Sequence, residues 1–216
     1  HTYSDDTFTR LDSRLTRNDV DVSWFRGKLG LDAGCGGGRY TAALARYGFK
    51  QLYGIDLSKK GIPDAKSRLT GTNVESTVRY MNGNVLELPF KNNSFDFVFS
   101  NGVLHHTLKP AQGIKECYRV LKPGGKVWLY LWWNDGLINA YWELSRSILS
   151  ETDPVLMKNL LATLGLPPGR RFYFIDPWFV PIRQTYSPAE VEALLSDSGF
   201  LNLKRLIRGY DTDTCE

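Results

Sequence analysis

Leu31-Asp32-Ala33-Gly34-Cys35-Gly36-Gly37-Gly38-Arg39-Tyr40 joins an apolar run, Lys28–Ala33, to a segment of helical spacing that reaches about Tyr47. Gly34, Gly36 and Gly38 let the backbone turn sharply and come close to a ligand. The loop lacks the GxGxxG order of a dinucleotide turn. No Lys-Ser or Lys-Thr follows, as a phosphate loop would require. Asp32 stands just before the glycines, where a carboxylate can meet an ammonium group.

Outward from this loop, strand and helix signals alternate. Gln51–Asp56 reads as a strand, and Ser58 as the cap of a helix reaching about Leu69, weakened early by Gly61 and Pro63. Val78–Met81 and the apolar run Phe95–Ser100 are further strands. Pro110–Leu121 is helical, with Ile114, Cys117, Tyr118 and Leu121 on one face, and Lys126–Trp132 is another strand. Before the loop, Phe8, Leu11 and Leu15 share a helix face. Near the end, Ser187-Pro188-Ala189-Glu190 forms a capping box with Pro at the first helical position. Tyr186 and Val191 are spaced as its hydrophobic staple. Gly199 occupies a C-cap position, and Leu201–Ile207 reads as a strand. The alternation predicts an α/β, doubly wound, mostly parallel sheet with helices on both faces, over one domain, 1–216. Ligands of such sheets bind at the carboxyl ends of the strands, at the switch point.

The loops at those ends are therefore the informative ones. Beyond the glycine loop they are Asp56-Leu57, Asn84-Val85-Leu86-Glu87-Leu88-Pro89-Phe90, Asn101-Gly102-Val103-Leu104-His105-His106, and Leu121-Lys122-Pro123-Gly124-Gly125. In this order they resemble the class I S-adenosylmethionine-dependent methyltransferases, closest to the small-molecule branch with its DxGCGxG, acid, LPF, LHH and LKPGG motifs. The resemblance runs from about Gly30 to Leu131 and resumes at Ser187–Ile207. It implies a Rossmann-like sheet and S-adenosylmethionine as cofactor, with S-adenosylhomocysteine as product. Asp32, Gly34, Cys35, Gly36 and Gly38 would hold the methionine portion, with Cys35 as a small packing residue and not a nucleophile. Asp56 and Leu57 would hold the ribose, and Asn84, Val85 and Leu86 the adenine. Asn84 departs from the family's usual Asp, yet its carbonyl can still accept from an amine. Asn101 would lie beside the sulfonium. His105 and His106 are the candidate bases, since imidazole titrates near neutrality. In relatives that methylate phospho-bases, a His in the place of His105 helps deprotonate the acceptor.

Between Trp132 and Tyr186 lies an aromatic-rich insertion, 134–186, after the fifth strand. Leu137, Tyr141, Leu144 and Ile148 form one helical stripe. Pro154 restarts a second helix with Leu156, Leu160, Leu161 and Leu164, and Gly165–Gly169 is a break. Asp176–Arg183 reads as a stiff non-helical segment. Such an insertion can cover an acceptor, with Trp132, Asp176, Trp178, Arg183 and Tyr186 near it. It can equally form a second small core or the interface of a homodimer. The family's sheet closes with a seventh, antiparallel strand, for which the polar tail Arg208–Glu216 is poorly suited. Another segment or subunit, or a longer natural chain, would complete that edge.

Bulk properties narrow the function classes. Net charge is +4 and Lys and Arg are scattered in short pairs, which is no continuous phosphate-binding face. Cys35, Cys117 and Cys215 include no CxxC pair, so neither a metal knot nor a redox motif is indicated. A reduced, cytoplasmic setting is expected. No apolar run approaches the ~18 residues of a membrane span. An amino-directed base methyltransferase would need a proline-rich loop where Ser100-Asn101-Gly102-Val103 stands, and a cytosine C5 enzyme a Pro-Cys nucleophile. Neither occurs. The expected acceptor is a small or medium-sized molecule, with a sugar-linked or secondary metabolite favoured. The alternatives are a nucleic-acid methyltransferase and a non-catalytic cofactor-binding partner subunit.

Overall fold

A computed structural model describes residues 3–207. Its elements are, in chain order, α1 (Tyr3–Arg17), β1 (Leu29–Ala33), α2 (Arg39–Ala45), β2 (Gln51–Asp56), α3 (Gly61–Ser67), β3 (Val78–Asn82), β4 (Phe95–Asn101), α4 (Pro110–Val120), β5 (Leu121–Tyr130), α5 (Leu137–Leu149), α6 (Pro154–Thr163), α7 (Pro168–Phe179) and α8 (Pro188–Asp197). The five strands pair in parallel in the order β3-β2-β1-β4-β5. The chain winds outward one way from β1 to β3, then returns to β4 on β1's other side. The switch point therefore lies between β1 and β4, and the glycine loop opens there.

Both faces of the sheet are buried. On one, Leu11 and Leu15 of α1 and Ala43 and Leu44 of α2 pack with Phe25, Phe97 and Phe99. On the other, Leu31, Ile55, Val98, Ile114, Cys117 and Val120 form a second core, with Leu194, Leu195 and Phe200 against its edge. Phe95 belongs to this second core although Phe97 and Phe99 belong to the first. Strand alternation alone would put all three on one face. The ladder between β4 and β5 shifts register between Phe95 and Phe97, which accounts for the change of side. It also explains why β5 starts at Leu121, ahead of the expected Lys126: Leu121 already pairs with Phe95 before the Pro-Gly-Gly turn.

The capping box is formed as its spacing requires, with the Ser187 side chain accepting from the Glu190 amide and the Glu190 carboxylate from the Ser187 amide. Gly199 takes φ +97°, the left-handed conformation of a helix stop. Asp153 caps α6 through the Val155 amide, and Pro154 opens that helix.

Three local expectations are corrected. Ser58 caps nothing, because α3 begins only at Gly61, its N-cap position is Lys60 and no side chain caps it; the Ser58 amide donates to the Asp56 carboxylate at 2.8 Å. The insertion's third segment is helical over Pro168–Phe179, so Asp176–Phe179 is not extended. Pro168 sits where a helix needs no amide donor, whereas Pro177 leaves the carbonyl four residues earlier without its helical donor, and α7 ends two residues later at Phe179. The stripe Leu137, Tyr141, Leu144 and Ile148 forms on α5 and faces outward, each residue at least 48% exposed. Trp142 and Arg146 instead carry the inward contacts of α5. Leu201–Ile207 forms no strand. Its end is held by Asn18, which accepts from the Ile207 amide at 2.7 Å and donates to the Ile207 carbonyl at 2.8 Å. These contacts spend that residue's backbone groups on a side chain, not on a ladder. The tail 208–216, with Cys215, lies outside the described residues.

Candidate active site

The glycine loop is shaped by its neighbours on both sides. The Gly34 and Cys35 amides both donate to the Ile55 carbonyl, at 2.8 and 2.9 Å. Gly34 has φ +96°, and a Cβ there would stand 2.3 Å from a Val103 methyl of the loop after β4. Only glycine lets these two loops close over the switch point. At Gly36 and Gly37, by contrast, a Cβ would meet nothing within 4 Å, so this stretch of backbone faces open space. This open stretch of backbone forms a cradle with room for a ligand.

Two acids frame the cradle. Asp56, at the end of β2, accepts from the Gly36 amide at 2.8 Å through Oδ2, and from the Ser58 amide through Oδ1. Each oxygen keeps a lone pair for a further donor. Asp32 is buried and accepts from the Thr41 hydroxyl at 2.6 Å. Burial drives its carboxyl up to about 7, the Thr41 bond opposes the rise, and nearby Asp56 adds to it. A cationic group arriving beside Asp32 would restore its charge.

Asn84, Val85 and Leu86, expected at the adenine, follow β3. Asn84 is exposed but its Oδ1 already accepts from the Leu86 amide at 2.9 Å. Val85 is buried in the second core and Leu86 packs on the same cluster. Leu57 is 70% exposed. Cys35 is buried near β2, and burial pushes its thiol well above the usual range. That thiol is inert. Cys117 behaves alike, with burial pushing its thiol up to about 12.

Asn101 and Gly102 end β4 at the cleft, and Asn101 Oδ1 accepts from the Trp128 indole at 3.3 Å. Beyond them the insertion folds back over the sheet end. Its return segment is laced to two loops at once. The Tyr186 amide donates to the Trp132 carbonyl at 2.8 Å and the Asn134 amide to the Tyr186 carbonyl at 3.2 Å. The Gln184 amide donates to the His105 carbonyl at 2.9 Å, and its side chain to the Thr107 carbonyl at 2.7 Å. The insertion is thus fixed to the loops that carry the histidines.

Trp132 is the hub of this junction. His105 stacks on it with centroids 4.6 Å apart, His106 meets it edge-on at 4.9 Å, and the Arg183 guanidinium lies 5.0 Å from its ring centre. Arg183 pairs with Glu143 and donates to Asn139 Oδ1 at 2.9 Å. It therefore braces α5. His105 is fully buried, and neither ring nitrogen has a partner. Burial, with His106 and Arg183 nearby, pushes its imidazole down to about 3. It is neutral at neutral pH and a weak base. His106 Nδ1 lies 2.9 Å from the Ile182 carbonyl, and its Nε2 faces Asp176 Oδ2 at 3.7 Å. Burial raises the Asp176 carboxyl, and His106 opposes that rise. Asp176, Arg183 and Tyr186 join Trp132 at the cleft. Trp178 does not: it is buried inside the insertion, donates to Ser145 Oγ at 3.0 Å and packs on Trp142 and Phe174. Glu143 and Ile182 are the site residues that the sequence did not single out. Only their contacts with Arg183 and His106 reveal them.

Residues 31–129 match the methyltransferase domain family. The chain is 35% identical over 130 residues to demethylmenaquinone methyltransferase of Lactobacillus johnsonii, covering 56% of this chain and 53% of that protein. It is 31% identical over 131 residues to 27-O-demethylrifamycin SV methyltransferase of Amycolatopsis mediterranei, covering 59% and 48%. The chain thus spans about half the length of the curated relatives it matches. In structure it is similar to the YcgJ protein of Bacillus subtilis, with a TM-score of 0.58 and 25% identity over 88% of this chain and 67% of that one. The parallel sheet, the helices on both faces and the matched segment together give 31–129 a Rossmann-like methyltransferase fold. Among the described residues, no helix is long and apolar enough to cross a membrane.

Proposed function

We propose that this chain transfers the methyl group of S-adenosylmethionine to a small or medium-sized acceptor held beneath α5–α7, a sugar-linked or secondary metabolite being favoured. The carrying observation is the cradle at Gly36–Gly37, tied to Asp56 and opening on the cleft that Asn101, His106, Trp132 and Asp176 share. In this reading Asp56 takes the ribose hydroxyls, Asp32 the methionine ammonium, and the backbone at Gly34, Gly36 and Gly38 the rest of the amino-acid portion. Asn84 accepts from the adenine amine with its remaining lone pair. Cys35, Val85 and Leu86 contribute backbone alone, because their side chains face the core. The cofactor supplies an already activated methyl group, so the protein's task is alignment and exclusion of water.

The aromatic side chains Tyr130, Trp132, Trp142 and Phe174 along the cleft suit an apolar ring or sugar face better than a nucleic-acid backbone. Two relatives, a demethylmenaquinone methyltransferase and a 27-O-demethylrifamycin SV methyltransferase, support an acceptor of that size. The test is incubation of the protein with S-adenosylmethionine labelled in its methyl group, together with metabolite extract, total RNA or DNA. Label is expected in the metabolite fraction. Label in nucleic acid alone would overturn the reading, and so would no transfer to any of the three.

A further inference from the structure

The insertion turns an apolar, nearly uncharged face to solvent. We propose that a second copy of this chain docks on it, with the two α5 helices lying antiparallel about a two-fold axis.

Leu137, Tyr141, Leu144 and Ile148 follow one another on the outward face of α5 at spacings of four, three and four. That is the apolar seam of a helix that packs along another helix. Leu156 and Leu160 of α6, with Leu164 at its C-cap, add a second ridge of residues one turn apart. All of them are between 46% and 86% exposed. They are not needed by the insertion's own core. Both helices pack on α7, α5 through Trp142 against Phe174 and α6 with Leu161 buried. Together the outward side chains offer on the order of 800 Å² to solvent, about one partner's share of a standard-size interface. An ordinary monomer leaves apolar patches of only about 300–600 Å².

The pattern selects the occupant. Spacings of four, three and four read the same in both directions, so a helix turned end for end meets its own seam in register. Leu137 then faces Ile148 of the partner subunit, and Tyr141 faces Leu144 of the partner subunit. A two-fold contact requires this self-complementarity. Charge favours the same occupant. Glu143, Glu151 and Asp153 outnumber Arg146 and Lys158 over 137–164. Arg146 is turned inward and donates to the carbonyls of Pro177 and Val180. A lipid surface draws amphipathic helices that carry Lys and Arg on their polar side, and this composition does not supply them.

The interface reaches the cleft through the other side of α5. Asn139 and Glu143 hold Arg183 beside Trp132, and Arg146 ties α5 to the end of α7. A partner seated on α5 therefore steadies the helix that braces the cleft.

Sedimentation velocity at about 10 μM tests the proposal, a concentration above the dissociation constants usual for interfaces of this size. Wild type is expected at twice the mass of the chain. Leu144→Glu should weaken the dimer about tenfold or more, because it buries an unpaired charge on each copy. Its circular dichroism should stay that of wild type, since Leu144 is exposed. Tyr141→Lys should behave in the same way. An equimolar mixture of the two variants should regain the dimer, because the introduced charges then face each other. A monomeric wild type would overturn the proposal, and so would dimers of unchanged strength in both variants. A mixture that stays monomeric would overturn the antiparallel pairing. Wild type that is monomeric in buffer yet floats with vesicles of phosphatidylcholine and phosphatidylglycerol would give the face to lipid and overturn the proposal as well.

Discussion

The Gly36 amide donates to the Asp56 carboxylate at 2.8 Å, tying the turn after β1 to the acid that ends β2. The loop is thereby fixed before any ligand arrives, and the ordering cost on binding is correspondingly small. The same carboxylate is bonded by the Ser58 amide, so Asp56 holds both walls of the cradle.

Asp32 makes stability pH-dependent in a defined direction. Its carboxyl is raised from 3.8 to about 7 by burial. The folded state therefore keeps a proton that the unfolded state releases between those values. The stability tied to that proton is complete below 3.8 and is lost as pH rises through about 7. Asp32→Asn removes the titration while keeping an acceptor for Thr41. Thermal unfolding at about pH 5 and about pH 8 should show the variant gaining on wild type at the higher pH. Parallel profiles would show that Asp32 does not carry this proton.

The Arg183–Glu143 pair is asymmetric. The Arg183 side chain is 6% exposed and that of Glu143 55%. Removing Glu143 strands a buried cation, whereas removing Arg183 leaves a carboxylate that water reaches. Glu143→Ala should thus cost roughly 1–3 kcal/mol, and Arg183→Met about 1 kcal/mol or less. The double variant should sit near Arg183→Met. Denaturant unfolding checks the order, and a costlier Arg183→Met would contradict it.

Ser187 both accepts from the Glu190 amide and has its own amide bonded by the Glu190 carboxylate. Ser187→Ala should cost about 1 kcal/mol, a fall in Tm of roughly 2–4 °C for a chain of this size. An unchanged Tm would mean that the start of α8 is held by packing alone.

The sheet was legible because its signals are local. Gln51–Asp56 is an apolar run between turn residues and is a strand over those same residues. Gly34, Gly36 and Gly38 all take positive φ. The acid and glycine positions follow from where strands end, which a sequence shows directly. What failed depended on competition. Ser58 has the chemistry of a cap, but α3 begins only at Gly61, past the position it could cap. Pro177 signals a break, yet in the final turn of α7 it does not interrupt the helix. Leu201–Ile207 has strand composition, but Asn18, remote in sequence, binds its end. The His106–Asp176 approach joins the loop after β4 to α7, and no spacing rule connects residues that far apart.

The account rests on the cradle holding S-adenosylmethionine, and calorimetric titration of that cofactor into the protein tests it most directly. Binding at about micromolar Kd is predicted, on the order of 8 kcal/mol. Asp56→Ala should weaken it by roughly 1.5–3 kcal/mol, the scale of hydrogen bonds to a charged group. No heat of binding with the wild-type protein at millimolar cofactor, or an affinity unchanged in Asp56→Ala, would contradict it.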